Sequence, residues 1–261
     1  MLVCALHGFT GCGADFAPLL SALGGPHEII NAPIQWSCPN LPGHGARPEL
    51  DCSAAATLQC IDHAVQSHPS SQTGKKVLLG YSMGGRAALL HACKQPQFWD
   101  ALILISTNPG IENPEEKAVR AKADAEMALR IENSKLEAFL NEWQATPILR
   151  SQQDIRSDWR QSMRLNRLQH SVQGLANSMR DFGQGSFPNL WPQLDRLDMP
   201  ILLLTGASDS KYTDIARQIK TRLGNRPVSH RIIPEAGHMP QLEAPVESIQ
   251  AIRTFLGQVG Y

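Results

Sequence analysis

A serine lies among glycines where one apolar stretch of the sequence ends and an alanine-rich stretch begins. Residues 80–85 are Gly-Tyr-Ser-Met-Gly-Gly, preceded by Val-Leu-Leu. A strand that turns sharply into a helix needs small residues around the turn, because larger ones would clash. Such a turn lifts the Ser82 hydroxyl above the edge of a sheet, where it can act as a nucleophile or a base. The alternative is an ordinary glycine-rich turn in which the serine has no chemical role.

A serine of this kind needs a base, and the base needs a carboxylate that orients it. In this arrangement the chain order is serine, acid, histidine. Asp209 follows an apolar run that ends at Leu204, and His238 follows another that ends at Ile233. Both residues therefore come just after strand ends, where open α/β sheets place their sites. We predict a triad of Ser82, His238 and Asp209.

Other residues compete for two of these roles. Asp214 and Glu235 are alternatives for the acid. His91 follows Ser82 on the same predicted helix, and we expect it to pack or to face solvent. His230 lies inside the last predicted strand, so its ring would point into the fold or along the wrong edge.

The first apolar run is followed by His-Gly-Phe-Thr-Gly at residues 7–11. A loop with this start can supply a backbone N–H to an oxyanion hole, and we predict that of Phe9. The second N–H would come from Met83, the residue after the serine. The alternative is a simple strand–helix turn.

Short apolar runs that do not alternate with polar residues define the predicted sheet. Strands with this pattern are buried on both faces by helices, as in parallel sheets. Only a few residues precede His7 in this sequence, so we expect no additional antiparallel strands before the first apolar run. We predict an α/β fold with a mostly parallel sheet of about six strands flanked by helices. The candidate strands are Leu2–Leu6, Glu28–Asn31, Lys76–Gly80, Leu102–Ile105, Ile201–Leu204 and Ser229–Ile233.

Charged helical segments replace the apolar runs between Gly110 and Pro200. Asn113-Pro114 is a typical helix start, with an N-cap residue followed by proline at the first helical position. We predict a core formed by residues 1–110 and 191–261, with a helical cap at 111–190. The predicted helices span residues 117–131, 135–143, 158–167 and 171–180.

The part of the cap from Trp143 to Arg180 is strongly basic. It has six Arg and two Asp, a net charge of +4. Four of the arginines fall on one stripe of a helix, at positions 156, 160, 164 and 167. These arginines could simply form a solvent-exposed face of the helix. Alternatively, one or two of them could bind carboxylates in a pocket, because Arg can form paired hydrogen bonds with a carboxylate.

Composition excludes several classes of protein. The 261 residues include 24 Lys+Arg and 24 Asp+Glu, which argues against binding to nucleic acid or to an anionic membrane. No apolar run is long enough for a membrane span, and the first residues do not resemble a signal peptide, so we expect a cytoplasmic protein. The six cysteines lack zinc-ligand spacing, and we expect reduced thiols rather than disulfides. With no phosphate-binding glycine loop and no metal-ligand cluster, we predict no cofactor and no metal.

Five segments together resemble the α/β-hydrolase superfamily. They are His-Gly-Phe-Thr-Gly, Leu-Pro-Gly-His-Gly at 41–45, Gly-Tyr-Ser-Met-Gly-Gly, Gly-Ala-Ser-Asp-Ser and Glu-Ala-Gly-His-Met-Pro. Finer features, among them Arg86 four residues after the serine and the Asp209-Ser-Lys-Tyr segment, resemble the 2-succinyl-6-hydroxy-2,4-cyclohexadiene-1-carboxylate synthases of menaquinone (vitamin K) or phylloquinone biosynthesis. Members of that family eliminate pyruvate from a cyclohexene that bears several carboxylates, using a hydrolase-type triad.

The resemblance implies roles for particular residues. Arg86, Arg120 and Arg167 would bind the carboxylates of a small polycarboxylate substrate, and Tyr81 and Trp143 would line its pocket. One departure is Gln144, where the family is expected to have an aromatic residue. Two other functions remain open: a serine hydrolase of esters or carbon–carbon bonds, and a non-catalytic binding protein with the same fold. The sequence leaves the oligomeric state open.

Overall fold

The sheet expected from the apolar runs is present. In the computed structural model, which describes residues 1–24, 34–45, 51–69 and 74–260, six strands form one sheet in the order β2-β1-β3-β4-β5-β6. All neighbouring strands are parallel. The prediction of a parallel sheet of about six strands flanked by helices is confirmed. The strands are β1 (Leu2–Leu6), β2 (Gln35–Ser37), β3 (Lys76–Tyr81), β4 (Ala101–Ile105), β5 (Ile201–Gly206) and β6 (Val228–Ile233).

Helices cover both faces of the sheet. Helices α2, α3 and α8 contribute to the apolar core on one face, whereas α1 and α10 contribute to the core on the other. The helices in the described residues are α1 (Ala17–Leu23), α2 (Ala54–Gln66), α3 (Met83–Lys94), α4 (Pro114–Glu132), α5 (Leu136–Gln144), α6 (Ser157–Arg167), α7 (Val172–Phe182), α8 (Ser210–Leu223), α9 (Pro240–Glu243) and α10 (Pro245–Gly260).

Strand β1 illustrates why the apolar runs do not alternate with polar residues. Successive side chains of a strand point to opposite faces. Leu2, Cys4 and Leu6 join the first core, and Val3 and Ala5 join the second. Because both faces are covered, every position of β1 must be apolar or small.

The edge strand β2 is not among the strands predicted from the sequence. Glu28–Asn31 lies outside the described residues, and the edge strand β2 is formed by Gln35–Ser37. This strand has three residues, all partly or fully exposed, and it pairs with β1 through Leu2–Cys4. A half-exposed edge strand needs no apolar run, so the hydrophobic pattern did not reveal it.

The four helices α4–α7 form the segment between β4 and β5. Helices α4, α5 and α7 share a small apolar cluster of their own, which includes Ile131, Phe139 and Leu175, whereas α6 contributes Met163 to the second core of the sheet. Helix α4 begins as the sequence predicts, because the Asn113 side chain accepts hydrogen bonds from the N–H groups of Glu115 (2.8 Å) and Glu116 (3.1 Å).

All six cysteines are free thiols, and all except the half-buried Cys38 are buried. Among the described residues, no helix is long and apolar enough to cross a membrane.

Candidate active site

Ser82 occupies the sharp turn between β3 and α3. Its φ is 52° and its ψ is −110°, a backbone conformation that few non-glycine residues adopt. The turn requires glycine on both sides: a Cβ at Gly80 would overlap the Gly84 carbonyl, and one at Gly84 would overlap the Leu6 carbonyl. The Ser82 N–H donates to the Ile105 carbonyl (2.9 Å), so β4 holds the strained residue in place.

The structure brings the three predicted triad residues together. The Ser82 hydroxyl lies 3.0 Å from His238 Nε2, and His238 Nδ1 lies 2.7 Å from Asp209 Oδ2. If Nδ1 donates to the carboxylate, Nε2 is left free to accept the serine proton, which is the arrangement that base catalysis needs. His238 and Asp209 are both buried.

The competing residues lie elsewhere. Asp214 is exposed and pairs with Arg217 (2.6 Å), and Glu235 is also exposed. His91 is buried between Asp62 and the Trp99 indole, whose Nε1 donates to it (2.9 Å). His230 is hydrogen-bonded to Thr205 within the sheet (2.8 Å).

Glu243, which lies five residues after His238, is a further residue of the site that was not predicted from the sequence. Its carboxylate accepts hydrogen bonds from the N–H groups of Gly237 and Met239, the two neighbours of the histidine, and from the Ser151 hydroxyl (3.0 Å). The carboxylate therefore fixes the loop on both sides of His238. The spacing His-x-x-x-x-Glu was the available signal.

Phe9 and Met83 line the same cavity as Ser82. Met83 is the first residue of α3. The first N–H groups of a helix have no carbonyl partner within that helix, so the N–H of Met83 is available to another acceptor. The loop after β1 lies against this helix end, because a Cβ at Gly84 would overlap the carbonyls of Leu6 and His7. Both predicted N–H donors are thus on segments that border the serine.

A cavity of about 380 Å³ opens above Ser82 and His238. It is lined by residues of the sheet edge and of helices α4–α7, including Trp143, which lies edge-on to Phe9 at 5.3 Å and stacks on Phe139. Tyr81 also lines it and lies beside the His238 ring. Four basic side chains contribute to the lining: Arg86, Arg120, Arg167 and Lys211.

Arg86 is buried in this lining without an acidic partner in its described contacts. Its Nη2 donates to the Phe182 carbonyl (2.7 Å), its guanidinium faces the Phe182 and Phe187 rings, and its Nε is buried with no hydrogen bond. Burial lowers the pKa of Arg86 to about 10, so it is still a cation at neutral pH.

Arg120 and Arg167 have different environments. Arg120 is about one-third exposed, and its Nε donates to Asp124 (2.7 Å). Arg167 is buried, and its Nη2 donates to the neutral amide oxygen of Gln152 (3.0 Å). Burial lowers the pKa of Arg167, and its Nε has no partner. Of the basic stripe on α6, Arg167 alone lines this cavity.

In the described part of the chain, no group of three or more His, Cys, Asp or Glu side chains could hold a metal ion.

Comparisons with known proteins agree with this architecture. Residues 2–251 match the model of the alpha/beta hydrolase family. A Bacillus subtilis protein with a provisional assignment as 2-succinyl-6-hydroxy-2,4-cyclohexadiene-1-carboxylate synthase is 34% identical over 244 residues, 93% of this chain and 85% of that protein. The synthase of the same name from Photorhabdus laumondii is 26% identical over 256 residues, covering 96% and 84% of the two chains.

The solved structure of MenH from S. aureus superposes with a TM-score of 0.85 at 27% identity, covering 100% of this chain and 95% of that one. Because the match covers the whole of this chain, it includes the helices between β4 and β5 as well as the sheet. This chain belongs to the α/β hydrolase family and groups, by its similarity to these relatives, with the 2-succinyl-6-hydroxy-2,4-cyclohexadiene-1-carboxylate synthases.

Proposed function

We propose that this protein is a carbon–oxygen lyase that eliminates pyruvate from 2-succinyl-5-enolpyruvyl-6-hydroxy-3-cyclohexene-1-carboxylate. The product is 2-succinyl-6-hydroxy-2,4-cyclohexadiene-1-carboxylate, an intermediate of menaquinone or phylloquinone biosynthesis. Arg86 carries the proposal: it is buried, lines the same cavity as Ser82 and His238, and forms no ion pair with an acidic side chain in its described contacts, so its charge suits a substrate that has carboxylates.

Ser82 acts as the base in this reaction. His238 accepts the hydroxyl proton at Nε2 over the 3.0 Å contact, and Asp209 stabilises the resulting imidazolium. The Ser82 oxygen then removes a proton from a ring carbon. The electron pair forms the second ring double bond, the ring carbon–oxygen bond breaks, and the enolpyruvyl group leaves as enolpyruvate. Transfer of a proton to its terminal carbon gives pyruvate; the His238 imidazolium, which holds the proton taken from Ser82, supplies it and returns to the neutral form.

Negative charge spreads over the conjugated system as the proton leaves. We assign the stabilisation of this charge to the N–H groups of Phe9 and Met83, because both residues line the cavity with Ser82 and hydrogen-bond donors that are already oriented stabilise such charge strongly. Met83 adds the positive end of the α3 dipole.

Three arginines bind the substrate carboxylates. Arg86 approaches from the first turn of α3, Arg120 from α4 and Arg167 from the end of α6. Arg86 and Arg167 have buried Nε groups with no partner, and a carboxylate can accept hydrogen bonds from adjacent N–H groups of one guanidinium. Tyr81 and Trp143 supply the walls of the pocket. In this assignment residues 111–190 form a cap over the core segments 1–110 and 191–261.

An assay of pyruvate release tests the proposal. The purified protein is incubated with the cyclohexene substrate, and pyruvate is followed through NADH oxidation by lactate dehydrogenase. Ser82→Ala serves as the control for triad-dependent turnover, and we expect it to abolish the signal.

Two outcomes would favour the other functions. Turnover of neutral esters without pyruvate release would identify a hydrolase. Binding of the cyclohexene by both the native protein and Ser82→Ala, with no product from either, would identify a non-catalytic binding protein.

A further inference from the structure

Three buried histidines form a cluster beside the loop that carries Phe9, and the proposed reaction uses none of them. His7 follows β1, His44 belongs to the Leu-Pro-Gly-His-Gly segment, and His170 follows α6. The ring centroids of His7 and His44 are 4.9 Å apart, and those of His44 and His170 are 5.4 Å apart.

His7 controls the direction of one peptide group. Its Nδ1 donates to the Gly8 carbonyl (2.8 Å), which also accepts from the Gly11 N–H (3.0 Å). A trans peptide is planar, with its C=O and N–H pointing in opposite directions. A fixed Gly8 carbonyl therefore fixes the N–H of Phe9, which belongs to the same peptide. The Leu41 N–H donates to Nε2 of His7 (3.0 Å) and so selects the tautomer that can donate from Nδ1.

His44 and His170 hold the next residue from both sides. The Thr10 N–H donates to His44 Nε2 (3.3 Å), and its carbonyl accepts from His170 Nε2 (2.9 Å). Thr10 has a φ of 63°, a strained value for a β-branched residue. The hydrogen bonds of Thr10 with the two rings offset this strain, which would otherwise favour a different loop conformation.

Each ring in the cluster uses one nitrogen as a donor and the other as an acceptor. His44 Nδ1 donates to the Pro42 carbonyl (3.0 Å), and the Gly45 N–H donates to His170 Nδ1 (2.7 Å). The network therefore requires neutral rings, since a protonated ring would have two donors. Burial lowers the pKa of all three histidines. The other titratable groups that influence them in the described residues are the neighbouring histidines and the Arg167 cation, which all oppose protonation.

We propose that His7, His44 and His170 are positioning residues that hold the Gly8–Phe9 peptide with its N–H toward the charge that develops in the reaction. This inference rests on the proposed function, in which the Phe9 N–H stabilises that charge. It also gives the Leu-Pro-Gly-His-Gly segment a function: the Leu41 N–H selects the His7 tautomer, and His44 holds the backbone of Thr10 in its conformation.

Two substitutions of His44 provide the first test. His44→Phe keeps an aromatic ring but cannot accept the Thr10 N–H, and we expect kcat to fall roughly 10- to 100-fold with KM changed less than about twofold. His44→Gln can accept that N–H through its amide oxygen, and we expect most of the lost kcat to return. Pyruvate release is measured for both, together with Tm.

A second substitution distinguishes positioning from packing. Glycine adopts positive φ without strain, so Thr10→Gly no longer needs the two histidines to stabilise its conformation. We therefore expect the double variant His44→Phe/Thr10→Gly to recover much of the kcat that His44→Phe alone loses. A purely structural role for His44 would give no such rescue.

His91→Phe is the matched control, because His91 is also fully buried but lies on the far part of α3. It should lower Tm without lowering kcat. Failure of both His44→Gln and Thr10→Gly to restore kcat, or a kcat loss in His91→Phe that matches that of His44→Phe, would overturn the inference. Failure of the proposed function would appear instead in the native protein, as absence of pyruvate. In that case the same variants are compared on p-nitrophenyl acetate, because acyl transfer by Ser82 needs the same N–H donors.

Discussion

The Arg86 guanidinium donates from Nη2 to the Phe182 carbonyl (2.7 Å) while its Nε remains buried without a partner. A carbonyl oxygen is a weaker partner for a cation than a carboxylate. Helix α7, which ends at Phe182, thus orients the cation without neutralising it.

Arg86→Met should separate stability from substrate affinity. Removing a buried charge that forms no ion pair stabilises the ligand-free protein or leaves its stability unchanged, so we expect Tm to stay equal or rise by a few degrees. KM should rise roughly 10- to 150-fold, because a hydrogen bond to a charged group contributes about 1.5–3 kcal/mol. Arg86→Lys should recover part of this loss. A large fall in Tm with unchanged KM would instead assign Arg86 to the structural core.

The two asparagine variants Asp209→Asn and Asp214→Asn test the acid of the triad. Asp209→Asn should lower kcat by roughly 10³- to 10⁴-fold, because the amide favours the wrong His238 tautomer. Asp214→Asn should leave kcat unchanged, since this residue is exposed and pairs with Arg217. Steady-state pyruvate release measures both. Full activity in Asp209→Asn would refute the assignment.

Arg167→Ala and Arg160→Ala compare a buried and an exposed arginine of α6. Arg167 lines the cavity, and we expect its loss to raise KM roughly 10- to 150-fold. Arg160 is exposed, its Nη1 donates to the Gln153 carbonyl, and its loss should change KM less than about twofold. Equal effects of the two substitutions would indicate that only the overall charge of the helix matters.

Increasing salt should raise the KM of the native protein for the anionic substrate more than for a neutral ester.

The histidine cluster should make the protein less stable in acid. Burial lowers the pKa of His7 to about 4, whereas an unfolded chain has an ordinary histidine pKa near 6.5. Between these values the unfolded chain binds more protons, so stability is full above about pH 6.5 and is lost as the pH falls toward 4. Each such histidine contributes up to about 1.4 kcal/mol per pH unit.

Urea titrations from pH 4.5 to 7.5 measure this dependence. His170→Gln, which lacks a titrating ring, should have a shallower decrease in unfolding free energy with falling pH than the native protein. Identical slopes for the two proteins would show that His170 does not contribute.

Pattern and spacing predicted the parallel sheet because strands buried on both faces require uninterrupted apolar residues. The same argument could not reveal β2, whose partly exposed residues Gln35–Ser37 join the sheet mainly through their backbone. An edge strand of this kind has no hydrophobic signature.

The stripe of arginines along α6 is a second case in which the sequence pattern alone does not predict which residue lines the cavity. At about 100° per residue, positions 156, 160, 164 and 167 lie within roughly 80° of one another, so rotation around the helix cannot separate them. Their burial depends on position along the axis. Arg156 precedes the helix and pairs with Asp158 in solvent, whereas Arg167 at the other end lies within the protein.

Contacts between distant segments could not be predicted from one sequence. Glu243 binds the amides around His238, and His170 reaches Thr10, 160 residues away along the chain. In the sequence, Glu243 could equally be an ordinary surface acid and His170 an ordinary buried ring. Only the folded chain shows which N–H or carbonyl each side chain contacts.

The insertion of four helices between β4 and β5 also affects how the chain folds during synthesis. Residues 106–200 must leave the ribosome before β5 can pair with β4, which at about 5–20 residues per second takes roughly 5–20 s. Throughout that interval one edge of β4, Ala-Leu-Ile-Leu-Ile at 101–105, lacks its β5 partner, although β3 has already been synthesised and can pair with the other edge. An apolar edge of this kind is prone to intermolecular pairing, so the interval before β5 is synthesised is the one in which the nascent chain is most exposed to aggregation through β4.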